Sequence, residues 1–204
     1  RNPAAKPASA AVSRLLQARG DHEGLLAHWA KRLEVLDDPS TRVSLEFRMG
    51  EICETLLGDS ERARGHYERI LDTSPGYLPA LESLEQVYSR LEEWGKLAAI
   101  YEQRALLANE AAGKALQFHR AAAVWEFRLG DLDKAREFYA RALEHLAHFP
   151  PSLDAFQRIL EGEGDWKGLA QCLLAAGASA TDGRETVSPW YRGGRLPPGP
   201  RPRP

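Results

Sequence analysis

The stretch LGDSERARGHY at residues 57–67 returns as LGDLDKAREFY at residues 129–139, which is a shift of 72 positions. An acidic residue follows the same turn at positions 21, 59, 93, 131 and 165, with steps of 38 and 34 residues in alternation. A fixed period of this length is typical of proteins built by stacking helical repeats. The sequence therefore predicts an array of helix pairs that presents a surface.

The Gly-Asp dipeptide of this stretch can end one helix and begin the next. Glycine adopts the left-handed conformation after a helix without steric cost, and aspartate accepts the free N–H groups of the following helix. Between the turns, apolar residues recur every three or four positions, as in Ala63, Tyr67 and Ile70, and no segment alternates with period two. We predict helices over residues 10–19, 22–37, 41–57, 60–73, 78–91, 94–108, 111–129, 132–147, 151–162 and 166–176.

Composition limits the class of partner and the setting of the protein. The chain has 204 residues with 27 basic and 29 acidic side chains, so we expect no nucleic-acid partner. No apolar run approaches the roughly 20 residues that cross a bilayer, so we expect no membrane insertion. Cys53 and Cys172 lie in apolar helical stretches, which predicts free thiols and a cytoplasmic location. Because the first residue is Arg1, an upstream start, and with it export, stays open.

The chain divides by composition into three segments. Two prolines and no apolar period predict a linker over residues 1–9, followed by a helical repeat domain over residues 10–176. Residues 177–204 end in PPGPRPRP, and we predict a disordered Pro/Arg/Gly-rich tail. Three interpretations of this tail stay open: a ligand that binds a partner, a linker, and a segment that does not belong to the native protein.

Each helix pair resembles a tetratricopeptide repeat, and the resemblance covers residues 12–176. That 34-residue pattern has Gly-Asp at its internal turn, then a small residue, an aromatic residue and a closing proline. The spacing is followed by Asp59, Ala63, Tyr67 and Pro75, and by Asp131, Ala135 and Tyr139. Leu97 and Leu169 replace the small residue in looser pairs. The resemblance implies an all-α solenoid, a right-handed superhelix of about five antiparallel pairs, similar to bacterial assembly scaffolds.

The resemblance also implies where a partner would bind. In such arrays the first helix of each pair lines the concave groove, and its polar residues contact a peptide or helix of another protein. The positions carried over are Arg48, Glu51, Glu82, Gln86, Arg90, Arg120, Asp154 and Arg158. Arg48 and Arg120 are equivalent at the 72-residue shift, so they would form a repeated guanidinium site for carboxylates or carbonyls. The alternative, solvated residues with local pairs such as Arg48 with Glu51, stays open.

No sequence pattern points to chemistry. His145 and His148 lack a third metal ligand in register, and there is neither a Gly-rich phosphate loop nor a nucleophile elbow. We therefore expect no catalytic residues, no metal and no cofactor, and an interaction scaffold that is not an enzyme. Three alternatives stay open: an accessory repeat segment of a larger regulatory or enzymatic protein, an RNA-processing repeat, and self-association through the uncapped C-terminal pair.

Overall fold

The computed structural model of the chain describes residues 5–182, with side chains described over residues 9–178. Within that range the secondary structure is helical, with no strand. The helices are α1 Ala5–Ala18, α2 His22–Glu34, α3 Pro39–Thr55, α4 Ser60–Thr73, α5 Leu78–Arg90, α6 Trp94–Leu107, α7 Ala111–Val124, α8 Leu132–His145, α9 Pro150–Glu163 and α10 Trp166–Asp182. A π-helical turn, Trp125–Leu129, extends α7.

The helices form five pairs, each joined by one of the acidic turns found in the sequence. The first helices are α1, α3, α5, α7 and α9, and the second helices are α2, α4, α6, α8 and α10. Packing runs mainly between helices that are consecutive in the chain. Stacking of this kind buries a continuous core while each unit contacts only its neighbours. The predicted all-α solenoid of helix pairs is confirmed.

Four of the five turns use glycine as predicted. The φ angles of Gly20, Gly58, Gly130 and Gly164 are +68°, +65°, +69° and +73°. The following aspartates each accept the N–H three residues further on, from Gly24, Arg62, Lys134 and Gly168 at 2.8 to 3.0 Å. The third turn differs, because Glu92 takes the left-handed conformation at φ +57° and Glu93 makes no side-chain cap.

In the 38-residue units, the backbone hydrogen bond that closes the end of the first helix spans more residues than in the 34-residue units. The N–H of Asp59 donates to the carbonyl of Cys53, six residues back, at 2.8 Å, and Asp131 makes the equivalent bond after the π-helical turn. In the shorter units the bond spans five residues, as from Glu93 to Tyr88 at 2.9 Å. A wider closure of this kind takes up one residue, which is one of the four residues by which the longer units exceed the shorter ones.

The small and aromatic residues of the repeat pattern form the core. Ala63 and Ala135 are fully buried, and so are Tyr67 and Tyr139. A Cβ at Gly50 would overlap the Tyr67 ring, so glycine there lets α3 approach the ring. Core burial of this kind is the main source of stability in a stacked array.

The helical region is longer at both ends than the sequence predicts. Helix α1 begins at Ala5, within the predicted linker of residues 1–9, and α10 ends at Asp182 instead of residue 176. Pro7 lies in the first turn of α1, where its missing N–H costs no helical bond, and alanine favours continuation of α10. The predicted tail from residue 183 onward and residues 1–4 lie outside the described part of the chain.

Candidate interaction surface

The eight residues predicted to bind a partner lie on α3, α5, α7 and α9, the first helices of four consecutive pairs. We call this surface the first-helix face. Seven of the side chains are exposed and Arg120 is half-buried. The structure brings Asp154 and Arg158 together at one cleft, while the others are distributed along the array.

Arg48 and Arg120 stack on aromatic rings of the preceding unit. The guanidinium of Arg48 lies 4.9 Å from the centre of the Trp29 ring, and that of Arg120 lies 5.8 Å from the centre of the Tyr101 ring. Trp29 and Tyr101 are themselves related by the 72-residue shift. Cation–π contacts of this type are worth about 0.5–1 kcal/mol at exposed sites. The repeated guanidinium predicted from the sequence therefore also connects neighbouring units.

Three further side-chain groups cross from one unit to the next, and we call them Tyr–Glu–Arg relays. In each, a tyrosine hydroxyl of a second helix donates to a glutamate on the first helix of its pair. The glutamate also pairs with an arginine on the next first helix. In the Tyr67–Glu54–Arg90 relay, the tyrosine–glutamate and glutamate–arginine distances are 3.2 and 3.1 Å. In the Tyr101–Glu85–Arg120 relay they are 3.0 and 3.6 Å. In the Tyr139–Glu126–Arg158 relay the tyrosine–glutamate distance is 2.8 Å, and Arg158 pairs with Glu126.

The relay glutamates connect the residues of the first-helix face to the core, and they are absent from the residues predicted from the sequence. Glu54 and Glu126 are equivalent at the 72-residue shift and stand 13 residues before their tyrosines, which is the signal that could have found them. Burial raises the pKa of all three phenols, to about 12 for Tyr101, and the adjacent glutamate adds to the effect. At neutral pH each hydroxyl therefore stays protonated and can donate its hydrogen bond.

A cleft of about 360 Å³ opens on the first-helix face between α7 and α9. It is lined by His119, Ala123, Phe127, Tyr139, Pro151, Asp154, Ala155 and Arg158. Phe127 is 65% exposed, so an apolar ring faces solvent beside an exposed carboxylate and a guanidinium. An opening with apolar walls and a few charged groups can hold a side chain of a bound peptide. We call it the α7–α9 cleft.

A polar pair at this cleft has no counterpart in the first copy of the duplication. His119 Nδ1 lies 3.1 Å from the hydroxyl of the fully buried Ser152, while the positions 72 residues earlier hold Phe47 and Ala80. Burial lowers the pKa of His119, although the charge of Glu126 opposes the shift. Since an apolar pair fills the same place in the first copy, packing alone does not require histidine and serine here.

The described residues contain neither a cluster of metal ligands nor a membrane-spanning helix. Between residues 5 and 182, no three His, Cys, Asp or Glu side chains lie together as a metal would need. His145 instead stacks on the Phe118 ring, with centres 5.5 Å apart. None of the helices described is both long and apolar enough to span a bilayer.

Solved structures similar to this chain have low sequence identity to it. MamA from Desulfovibrio magneticus RS-1 is 16% identical, over 88% of this chain and 97% of that one, with a TM-score of 0.44. BtubC from P. vanneervenii is 16% identical, over 96% and 84%, with a TM-score of 0.42. The TPR2AB domain of yeast Sti1, solved as a complex with pHSP90, is 15% identical, over 84% and 76%, with a TM-score of 0.36.

The family match comes from the sequence of the central pairs. No curated protein matches the chain, but residues 80–115 match the family model described as "Tetratricopeptide repeat". These residues contain the turn at Glu92 and the whole of α6. The same helix–turn–helix geometry, with a left-handed residue before an acidic one, recurs at the four other turns. Residues 80–115 therefore match a tetratricopeptide repeat, and the turn geometry of the other helix pairs is similar to that of the matched pair.

Proposed function

We propose that this protein is a non-enzymatic scaffold whose first-helix face binds a peptide or helix of another protein. The observation that carries the proposal is the α7–α9 cleft, where two of the residues predicted from the sequence meet an exposed phenylalanine. Aromatic and arginine side chains dominate the binding energy of protein interfaces. The cleft is therefore the centre of the proposed binding surface.

The cleft offers three kinds of contact to a bound segment. Phe127 and Pro151 provide apolar surface, and the carboxylate of Asp154 is exposed to pair with a cation. Arg158 is held by Glu126, yet a guanidinium carries five N–H donors and one carboxylate uses only some of them. Because Arg158 is positioned before binding, little of its side-chain entropy is lost when a ligand arrives.

The other residues of the first-helix face extend the proposed surface along the array. Arg90 and Arg120 are held by Glu54 and Glu85 in the relays described above. Glu82 pairs with Arg104 at 3.8 Å, and Glu51 and Gln86 are exposed. A peptide that lies across several units would thus meet a row of positioned charges rather than one deep pocket.

Peptide selection followed by matched substitutions tests the proposal. Random peptides displayed on phage are selected on the wild-type protein, and the enriched sequences are synthesised for fluorescence anisotropy. We expect Phe127→Ala and Asp154→Asn to weaken binding about tenfold, which corresponds to about 1.4 kcal/mol. The matched control for Phe127→Ala is Thr55→Ala, which occupies the equivalent position of the first copy and should leave affinity unchanged. Failure to enrich any peptide, or full affinity in Phe127→Ala, would rule out the cleft.

We further propose a reducing, cytoplasmic setting and no direct contact with nucleic acid. Cys53 is buried and Cys172 half-buried, both thiols are free, and burial raises the pKa of each. Thiols of this kind are inert structural residues of a reduced protein.

Self-association through α10 is a second proposal, supported by the exposure of Trp166 and Leu174 at 52% and 65%.

A further inference from the structure

A second groove, of about 750 Å³, opens between the second helices α8 and α10. Phe156 and Leu160 of α9 form its floor, and Leu143 and Cys172 form its walls. Residues two apart on a helix point in nearly opposite directions, so this floor lies on the other side of α9 from Asp154 and Arg158. The groove, which we call the α8–α10 groove, is therefore separate from the first-helix face.

In the first copy of the duplication, polar side chains bridge the equivalent space between α4 and α6. Arg64 pairs with Glu93 at 2.5 Å, and the Lys96 ammonium donates to Glu68 at 3.1 Å. The Tyr88 hydroxyl donates to the same glutamate at 2.8 Å. These contacts join α4 to the following pair across the gap.

The second copy lacks the residues that make these bridges. At the 72-residue shift, Glu68 becomes Ala140, Tyr88 becomes Leu160, and Lys96 becomes Gly168. Arg64 is matched by Arg136, but that guanidinium pairs with Glu163 on α9 at 2.9 Å instead of crossing to α10. The long polar side chains are thus replaced by short or apolar ones, and the groove stays open with an apolar floor.

The rim of the open groove is negatively charged. Asp133, Glu137, Glu144 and Asp165 line it, and the one arginine present, Arg136, is already neutralised by Glu163. In the part of the chain that the structure describes, Asp133, Glu137 and Glu144 form no ion pair with a basic side chain. Carboxylates around an apolar floor are complementary to a ligand that carries cations beside an apolar stripe.

We propose that the α8–α10 groove binds an amphipathic helix of a partner protein, with lysine or arginine flanking its apolar face. The groove is walled by helices of 14 and 17 residues, which are about 21 and 25 Å long at 1.5 Å per residue. A helix laid between them would bury its apolar face on Phe156 and Leu143, as in other helix-in-groove complexes. Its cations would meet Glu137 and Glu144 at the rim.

The test uses two synthetic helical peptides of equal length as probes. One places leucines on one face and lysines on the other, and its control replaces every lysine by glutamate. We expect the wild-type protein to bind the lysine peptide, with affinity falling as salt is raised, and not to bind the glutamate peptide. Equal binding of both peptides would overturn the proposal.

A designed closure of the groove provides the decisive variant. Ala140→Glu with Gly168→Lys restores the Glu68–Lys96 bridge of the first copy, and Lys134 shows that lysine is accepted three residues after a capping aspartate. A Cβ at residue 168 would meet the Asp165 carboxylate at 2.5 Å, so this side chain must shift as the capping aspartate before Lys134 does. We expect the double variant to stay folded and to lose affinity for the lysine peptide at least tenfold. Unchanged affinity would overturn the proposal, and unfolding is monitored separately by the thermal midpoint.

Two further measurements separate this site from the others. Phe127→Ala should bind the lysine peptide as the wild type does, because Phe127 lies on the first-helix face. The outcome for the α8–α10 groove is therefore independent of the outcome for the proposed peptide-binding scaffold. Sedimentation of the protein without peptide tests whether a second copy of the chain occupies the groove. A wild-type dimer that the double variant abolishes would overturn the proposal in favour of a second copy in the groove.

Discussion

Glu54 and Glu126 each hold together three helices through a single carboxylate. Their side chains are only 13% and 9% exposed, and each accepts one hydrogen bond from a tyrosine and one from an arginine. Hydrogen bonds to charged groups contribute about 1.5–3 kcal/mol when shielded from water, whereas an exposed ion pair gives about 0–1 kcal/mol. The tyrosine arm, which lies in the core, is therefore the stronger half of each relay.

The relay tyrosines should make the fold sensitive to alkaline pH. The pKa values of Tyr67, Tyr101 and Tyr139 are raised above the ordinary 10.0 in the folded protein, that of Tyr101 to about 12. Their contribution to stability is therefore complete below pH 10 and decreases as the pH rises towards and beyond 12, because the unfolded chain releases these protons first. Urea unfolding at pH 8 and pH 11 measures the change.

The control for this prediction is the triple variant Tyr67→Phe, Tyr101→Phe and Tyr139→Phe. It keeps the rings and removes the titrating hydroxyls, so the loss of stability between pH 8 and pH 11 should be smaller than in the wild type. The same loss in both proteins would show that lysines or other groups control the alkaline transition.

At the scale of the elements, the turn between α5 and α6 is the one that departs from the repeat. Glu92 takes φ +57° where the other turns have glycine. A side chain in the left-handed region costs roughly 1 kcal/mol, which glycine avoids. We expect Glu92→Gly to raise the free energy of unfolding by up to about 1 kcal/mol, measured by urea denaturation.

A matched substitution in another turn should act with the opposite sign. Gly58 has φ +65°, and a Cβ there would meet no atom within 4 Å. Gly58→Ala therefore tests backbone strain without a clash, and we expect it to lower stability by about 1 kcal/mol. Unchanged stability in both variants would mean that the turn backbone adjusts to the substituted residue. The left-handed conformation would then not be a fixed requirement of the repeat.

The sequence predicts the helix pairs well because the turn signal is local. A glycine and an aspartate determine each helix end within a few residues, so four turns match the prediction, and the first-helix positions of the candidate site follow from the same register. The relays could not be predicted in this way, because Arg90 and Arg158 reach glutamates 36 and 32 residues away in the chain. Helix ends without a turn signal, at Ala5 and Asp182, were also misplaced.

For the whole molecule, the two copies of the 72-residue block have diverged in a consistent direction. The first copy fills its inter-helix spaces with Phe47, Tyr88 and bridged charges, while the second opens the α7–α9 cleft and the α8–α10 groove. Each unit of a stacked array depends only on its neighbours, so one block can lose bridges while the other keeps them. We infer that the bridged first block contributes more to stability, while the second block contributes the cleft and the groove to the binding surface.

This division predicts that local stability falls towards the C-terminal pair. Within the described side chains of α10 only Ala176 is buried, whereas α8 buries Ala135, Phe138, Tyr139 and Ala142. Segments with few buried apolar contacts open with lower free energy and exchange their amide hydrogens sooner. In hydrogen-exchange mass spectrometry we expect α10 to exchange before α8, and α4 to α6 to exchange last. Closing the groove by Ala140→Glu with Gly168→Lys should slow exchange in α10 and leave α4 unchanged, because the restored bridge acts only on its neighbours. One common exchange rate for all helices would instead indicate a single cooperative unit, in which the second block could not have opened its grooves without weakening the first.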